Sequence, residues 1–509
     1  MRKRAVTTAA RPEDERLPLG RSFMYGLQHV LTMYGGIIAV PLIVGQAAGL
    51  SDSDVAVLIA SALFVGGAAT VLQSWGVPFF GSQLPLVQGV SFAGVATMLA
   101  ILAGGGGLPA VMGAVLVAGA FGLVAAPFFA QIIRFFPPVV TGVVITTIGL
   151  TLMPVAAGWA MGGQGSEDFG STANIGLAFL TFVIVLVLSK VGVATISRLS
   201  ILLSIIIGTL VAAVLGMADF SGVGEGPTIA VPAIFAFGPP TFEVAAIISM
   251  IIVVLVTMTE TTADILAVGE IVRTKTDSKR IADGLRADML SSTVAPVFNS
   301  FTQTAFAQNV GLVAITGIKS RFVVSAGGVI MFTLGLLPVL GRVVAAIPTP
   351  VLGGAGVVLF GTVAAAGIRT LAKVDYEGNM NLVIVASSLA FGMVPIVAPT
   401  FYDAFPDWFT TIFHSGISSA AVMAVVLNLL FNHLRAGTPA QPSVLAARGA
   451  RYVSPVVLEA LEEGDYVRDG KLVDASGAEV PILTGDGARP EERRHGPAGE
   501  QRDERGGGR

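Results

Sequence analysis

The stretch Phe298-Asn299-Ser300-Phe301-Thr302-Gln303-Thr304-Ala305-Phe306-Ala307-Gln308-Asn309-Val310-Gly311-Leu312-Val313-Ala314-Ile315-Thr316-Gly317 lies among long apolar segments, yet it does not read as a plain membrane helix. Asn, Ser, Thr and Gln recur where a lipid-facing span carries Leu or Val. Inside a bilayer, irregular backbone persists only where it is buried in protein or lines a cavity. The stretch is therefore a candidate binding site, and the rest of the chain reads as its support.

Composition sets the class. Of 509 residues, 53% are hydrophobic and 12% charged, against ~25% charged in a soluble domain, so most of the chain does not face water. A formal net charge of −3 offers no basic surface to nucleic acid. The absence of cysteine rules out disulfides, thiolate metal sites and a cysteine nucleophile. His29, His414, His433 and His495 are far apart in sequence, so no histidine metal site is expected, and no cofactor. Residues 1–21 are polar and lack the apolar core and cleavage site of a signal peptide. They read as a cytosolic tail.

A spanning helix needs ~20 apolar residues. On that ruler the chain divides into fourteen segments: 23–46, 54–74, 82–103, 109–132, 138–158, 173–189, 199–216, 241–268, 284–303, 306–318, 322–340, 347–368, 381–398 and 411–433. Segments 82–103 and 306–318 are poor helices, with Gly, Gln, Ser or Thr at apolar positions. With the N-terminus inside, every Lys and Arg between 22 and 433 except Arg342 falls at a cytoplasmic end, which is the positive-inside bias.

The chain also repeats itself. Phe136-Pro137-Pro138-Val139-Val140-Thr141-Gly142 opens the fifth segment, and Ile347-Pro348-Thr349-Pro350-Val351-Leu352-Gly353-Gly354 opens the twelfth. Gln88-Gly89-Val90-Ser91 in the third matches Gln308-Asn309-Val310-Gly311 in the tenth. Such matches also arise by chance in so apolar a chain. As a true repeat they make two halves of seven segments, an odd number, hence of opposite orientation. Interrupted segments at matching positions of an inverted repeat point to a secondary transporter with its site near the midplane. After Phe431 the chain turns polar, and 434–509 reads as a largely disordered cytosolic tail with one short helix over 455–463.

Ionisable residues inside spans are candidates for function, because burying them is costly unless they are paired or hydrated. Glu260 and Asp264 lie one helical turn apart and so share a face. Two close carboxylates repel, which favours a proton on one of them; otherwise they form a structural cluster near the end of the span. Asp288, deeper than Asp283 and Arg286, either pairs with Arg286 or a helix terminus or serves the site. His29 is a structural hydrogen-bond donor or a proton relay. Broken helices leave free backbone N–H groups, which bind anions or carbonyl oxygens. Ser91 and Phe92 open one new helix, and Gly311 follows Gln308-Asn309 in the other. Phe92 either packs or offers its face to a planar ligand. Gln308 carries an acceptor and two donors. With a Glu it suits a flat heterocycle bearing alternating N–H and C=O groups.

These residues resemble a family. Gln308-Asn309-Val310-Gly311-Leu312-Val313-Ala314-Ile315-Thr316-Gly317 is similar to the signature of the nucleobase–ascorbate transporters (nucleobase:cation symporter-2) at every fixed position. The likeness extends to Gly26-Leu27-Gln28-His29, to Gly89-Val90-Ser91-Phe92 and to Thr259-Glu260-Thr261-Thr262-Ala263-Asp264. Ala263 departs from the Gly of many relatives. The resemblance implies an all-α polytopic membrane protein of fourteen segments in a 7+7 inverted repeat, with short β-strands in segments 3 and 10. Segments 1–4 and 8–11 form its core, segments 5–7 and 12–14 its gate, and it is a homodimer. It implies substrate contacts from Glu260, Gln308, Phe92, Ser91, Asn309 and Gly311, with Asp264, Asp288, His29 and Thr316 in coupling or support.

Gln308 resembles the xanthine and uric acid branch. The expectation is proton-coupled, rather than sodium-coupled, import of a purine nucleobase through the cytoplasmic membrane, with both termini cytoplasmic. The alternatives are a uracil symporter, or a passive channel or anion transporter of related fold. No enzyme is expected.

Overall fold

The computed structural model describes residues 11–129, 133–163, 165–191, 193–377, 380–433, 466–468 and 471–473. The chain forms two compact units, Met1–Arg451 and Tyr452–Arg509.

In the first unit α1 (Leu19–Ala47) and α2 (Asp52–Trp75) form a helical pair. Ser51 caps α2 by accepting the Asp54 N–H at 3.3 Å, and Asp52 and Asp54 in the first turn suit the helix dipole. Strand β1 (Gln88–Val90) follows, then a 3-10 turn (Phe92–Gly94), α3 (Val95–Ala103) and α4 (Gly107–Ala125). Next come α5 (Pro138–Thr151), α6 (Met153–Ala160), α7 (Thr172–Lys190), α8 (Ala194–Arg198) and α9 (Ser200–Val214). The long α10 (Val244–Val272) ends at Arg273 in the left-handed region, and Asp277 caps α11 (Ser278–Val294). Strand β2 (Gln303–Ala305) leads into α12 (Ala307–Thr316). The unit closes with α13 (Arg321–Gly335), α14 (Pro338–Ala345), α15 (Thr349–Leu371), α16 (Asn381–Val397), α17 (Asp407–Phe413) and α18 (Gly416–Asn428).

Helices occur within or across all fourteen expected segments. By length and composition, seven helices among the described residues can cross a membrane, or eight if α13 and α14, bent by 79° at their break, count as one span. Segments 3, 7, 10, 13 and 14 hold shorter apolar helices, and segment 9 holds α11, which begins Ser-Lys-Arg. The expected helix over 284–303 is corrected. The helix runs over Ser278–Val294, a 3-10 turn covers Ala295–Phe298, and 303–305 is strand. Pro296 stops the helix by its missing N–H, and Asn299 turns the chain at φ +57°. The Asn299 side chain holds that turn, accepting from Ala236 N at 2.8 Å and donating to Ala233 O at 2.6 Å.

The helices pack chiefly in two sets. One contains α1–α4 and α10–α14, the other α5–α9 and α15–α18. Small residues set the spacing. A Cβ on Gly26 of α1 would lie 2.7 Å from Gly327 N of α13, and one on Gly149 of α5 would lie 2.6 Å from Phe360 O of α15. Such close backbone approach gains dispersion contact where lipid supplies no hydrophobic drive.

The N-terminal segment is not wholly free of the helices. Residues 11–18 are docked: Pro12–Asp14 form a 3-10 turn, and Glu13 is fully buried. In the second unit β3 (Tyr466–Arg468) and β4 (Lys471–Val473) pair antiparallel, Tyr466 opposite Val473. Apart from β3 and β4, the stretch 434–509, expected to be largely disordered with one short helix at 455–463, lies outside the described residues.

Candidate functional site

The opening stretch forms half of a two-stranded sheet. β1 and β2 pair antiparallel, with Gln88 opposite Ala305, Gly89 opposite Thr304 and Val90 opposite Gln303. Ser91 N donates to Thr302 O at 2.8 Å and Phe306 N to Val87 O at 3.0 Å, extending the ladder at both ends. Each strand then enters a helix, so the N-termini of the Phe92–Ala103 and Ala307–Thr316 helices flank the sheet. Gly89 has no replaceable hydrogen: a Cβ there would lie 2.7 Å from the Phe306 ring and 3.0 Å from Met33 Cε.

A two-stranded sheet has two open edges, and buried edge groups need partners. Side chains from three helices supply them. Thr70 of α2 accepts from Gln88 N at 2.9 Å and donates at 3.1 Å to Gln88 O, sharing its hydroxyl hydrogen with Gly66 O. Ser292 of α11 accepts from Gln303 N at 2.9 Å. Thr261 of α10 accepts from Ala305 N at 3.3 Å.

The three carboxylates lie beside this sheet. Asp288 is fully buried; Glu260 and Asp264 are half-buried. Thr261 donates to Asp288 Oδ2 at 2.5 Å and Gln73 Nε2 to Asp288 Oδ1 at 3.3 Å. Asp288 therefore does not take Arg286, which pairs with Asp283 at 2.5 Å. The Gln88 carboxamide faces Asp288, but neither its nitrogen nor its oxygen meets a partner at hydrogen-bonding geometry among the described residues. Gln303 Oε1 and Asn309 Oδ1 are likewise buried with spare capacity. Buried polar groups are almost always paired, so this cluster has the donors and acceptors to bind a polar molecule.

His29 and Asn309 are joined. Asn309 Nδ2 donates to His29 O at 3.1 Å and meets His29 Nδ1 at 3.0 Å. A carbonyl only accepts, so the amide orientation is set, its second hydrogen faces Nδ1, and the ring proton belongs on Nε2. This pair ties α1 to α12. Gln308 lies in the first turn of α12, not at a break, and is exposed. With Gly311, Ala314 and Ile315 it makes one exposed stripe. The expected match of Gln88 with Gln308 is thus shifted: strand residue Gln88 corresponds to strand residue Gln303. Thr316 donates to Leu312 O at 2.8 Å and Gly317, at φ +68°, ends the helix. The Ser91 hydroxyl caps its helix through Ala93 N at 3.2 Å. Half-buried Phe92 packs edge-on against Phe360, with ring centroids 6.0 Å apart, and Phe360 in turn lies 6.3 Å from Trp159.

Nothing in the sequence pattern singles out Thr70, Gln73 or Ser292, and Thr261 stands out only as a neighbour of Glu260. Their signal was a hydroxyl or amide inside an otherwise apolar or deeply placed helix segment, visible only once the strand edges are located.

The family model of the permease family Xan_ur_permease matches residues 20–401. The chain belongs to this family, the nucleobase–ascorbate transporters. It is a multi-pass membrane permease and not an enzyme. The xanthine permease of Bacillus subtilis is 40% identical over 413 residues, covering 81% of this chain and 94% of the relative. The uric acid permease PucK of the same organism is 41% identical, covering 80% and 95%. The uric acid transporter UacT of Escherichia coli is 40% identical, covering 83% and 89%. Among solved structures, the transmembrane domain of the cyanobacterial bicarbonate transporter BicA superposes with TM-score 0.52 at 16% identity, over 77% of this chain and 98% of that one. SLC26A9 superposes with TM-score 0.56 at 12% identity, over 82% and 67%. At such identities the likeness is one of fold.

Proposed function

We propose that this permease imports xanthine or uric acid across the cytoplasmic membrane by proton symport. The observation that carries the reading is the enclosed sheet with its spare amide groups beside Glu260, Asp264 and Asp288, in a chain about 40% identical to permeases named for these purines. In this reading Glu260 holds the N–H groups of the base and Gln308 sets its orientation. Ser91, Phe92, Asn309 and Gly311 shape the pocket. Asp264 and Asp288 exchange the coupling proton, and His29 and Thr316 support the two half-helices.

The fourteen segments cross the membrane in a 7+7 inverted repeat with both termini cytoplasmic, and two chains form a homodimer. The helix set α1–α4 with α10–α14 is the core, and the other set is the gate. The two half-helices are covered differently. Thr97 of α3 bonds Ser415 at 2.9 Å, on the edge of the gate set, while α12 keeps its exposed stripe. This supports a state closed along α3 and open along α12.

The test is uptake into proteoliposomes of labelled xanthine, urate, uracil and bicarbonate under an imposed proton or sodium gradient. Uptake of a purine, abolished by an uncoupler, is expected. Bicarbonate uptake without purine uptake selects the anion reading, and uptake indifferent to both gradients selects a channel. Glu260→Gln is expected to lower purine uptake by at least about tenfold, the equivalent of ~1.4 kcal/mol on the barrier, with the protein still folded. Normal uptake in that variant overturns the assignment.

A further inference from the structure

Far from the sheet, the docked N-terminal segment makes contacts unusual for a terminus. Glu13 is fully buried, and its Oε1 accepts from Arg280 Nη2 at 2.6 Å and from Thr274 Oγ1 at 3.0 Å. All five N–H groups of the Arg280 guanidinium are occupied. Nε donates to Ser82 O at 2.6 Å and Nη2 also to Gln83 O at 2.9 Å. Nη1 donates to Thr274 Oγ1 at 3.2 Å and Lys275 O at 3.1 Å. Only a planar fork satisfies this set, which a lysine ammonium does not reproduce.

The turn that Arg280 grips is a strained one. Phe79 and Gln83 both sit at positive φ, +72° and +54°, a costly conformation for side chains of this kind that persists only when the surroundings hold it. The same turn delivers β1 five residues later. Its Ser82 N–H donates to Gln73 Oε1 at 3.1 Å, and Gln73 Nε2 is one of the two donors to Asp288. The hydrogen bonds therefore run without a gap from Glu13 through Arg280, Ser82 and Gln73 to Asp288.

We propose that Glu13 is a positioning residue for transport: by fixing Arg280 it holds the 82–83 turn, and through it both β1 and the Gln73 amide that bonds Asp288. This rests on the purine-transport reading for its kinetic consequence, but not for its structural one. The neighbouring contacts fit the same role. Asp14 bonds Arg321 at 2.7 Å, Ser320 donates to Glu15 O at 2.5 Å, and Arg16 lies 5.3 Å from the Phe322 ring centroid. They fasten the segment to the start of α13, so that Glu13 is delivered at a set depth.

The full chain carries the test, with four variants: Glu13→Ala, Glu13→Gln, Arg280→Lys and the double Glu13→Leu with Arg280→Met. Initial-rate purine uptake, equilibrium binding of the same purine, thermal unfolding and amide hydrogen exchange over 82–92 are measured on each. Glu13→Ala and Arg280→Lys are expected to lower the maximal rate about tenfold, equivalent to ~1.4 kcal/mol, with binding changed less than about twofold, or ~0.4 kcal/mol. Glu13→Gln keeps the acceptor and should retain more activity than Glu13→Ala. Exchange over 82–92 should rise in Glu13→Ala and Arg280→Lys. The double variant replaces a buried ion pair by apolar groups, which commonly restores stability; the rate should stay low while the melting temperature returns. Recovery of rate together with melting temperature overturns the proposal, as does unchanged exchange over 82–92 in Glu13→Ala. If the wild type takes up no purine, the functional reading fails, while the exchange measurement still decides the positioning role.

Discussion

Asp288 has a separate donor for each carboxylate oxygen, and the two donors come from different helices, α2 and α10. Thr261 is the more economical of the two. Its single hydroxyl donates to Asp288 and accepts from Ala305 N, so one side chain serves both a buried carboxylate and a strand edge. Thr261→Val keeps shape and helix position but removes both bonds at once. A buried group left unsatisfied costs about 1–3 kcal/mol, so Thr261→Val is expected to lower the denaturation midpoint markedly. Thr261→Ser, which retains the hydroxyl, should stay near wild type. Thermal unfolding in detergent reads both, and equal midpoints for Val and wild type would contradict the role. Asn309 shows a similar economy, since both of its amide hydrogens are directed to His29.

At the scale of elements, two three-residue strands are far too short to be stable alone. They persist because Thr70, Ser292 and Thr261 complete their edges and because each runs directly into a helix. The N-terminal segment 11–18 is held by charges instead, and this gives it a pH dependence. Burial opposes the charged form of Asp14, but hydrogen bonds from Arg321 and Arg11, together with their positive charges, outweigh it and hold its carboxyl below the ordinary value of 3.8. A group whose folded value lies below its unfolded value stabilises the docked state above the unfolded value. That stabilisation is lost as pH falls through the folded value. Hydrogen exchange over 11–18, corrected for its intrinsic pH dependence, should therefore be flat from neutral pH down to the ordinary carboxylate value and rise below it. Asp14→Asn should raise it at neutral pH.

At the scale of the whole molecule, the two helix sets are each drawn together by backbone contact at glycine. A Cβ on Gly149 would meet the α15 backbone, whereas one on Gly158 has nothing within 4 Å. Overpacking costs about 1–3 kcal/mol, so Gly149→Ala should reduce the amount of folded protein and its melting temperature. Gly158→Ala, in the next helix, should be neutral or slightly stabilising. Fluorescence-detected size exclusion after a heating series separates the two. The likeness to the bicarbonate transporter BicA at 16% identity fits this picture, since such close packing constrains residue size more than residue identity.

How much of this was legible beforehand follows from period and range. Long apolar runs, carboxylates one turn apart in α10 and the polar signature at 308–317 are local patterns, so membrane class, family and the Glu260–Asp264 face could be read from the chain alone. A three-residue strand has no period to detect. Its register, and with it the exchange of Gln308 for Gln303 as the counterpart of Gln88, depended on which backbone groups found partners across the fold. The same holds for Thr70, Gln73 and Ser292, which look like ordinary helix residues until a strand edge is set against them. Glu13 is the extreme case: in sequence it belongs to a charged tail, and its partner Arg280 is 267 residues away. Local spacing determined which segments leave water, because transfer free energy depends on residue type. Only the tertiary structure decided which polar groups meet, because each buried donor and acceptor must be satisfied by whatever the packing brings within reach.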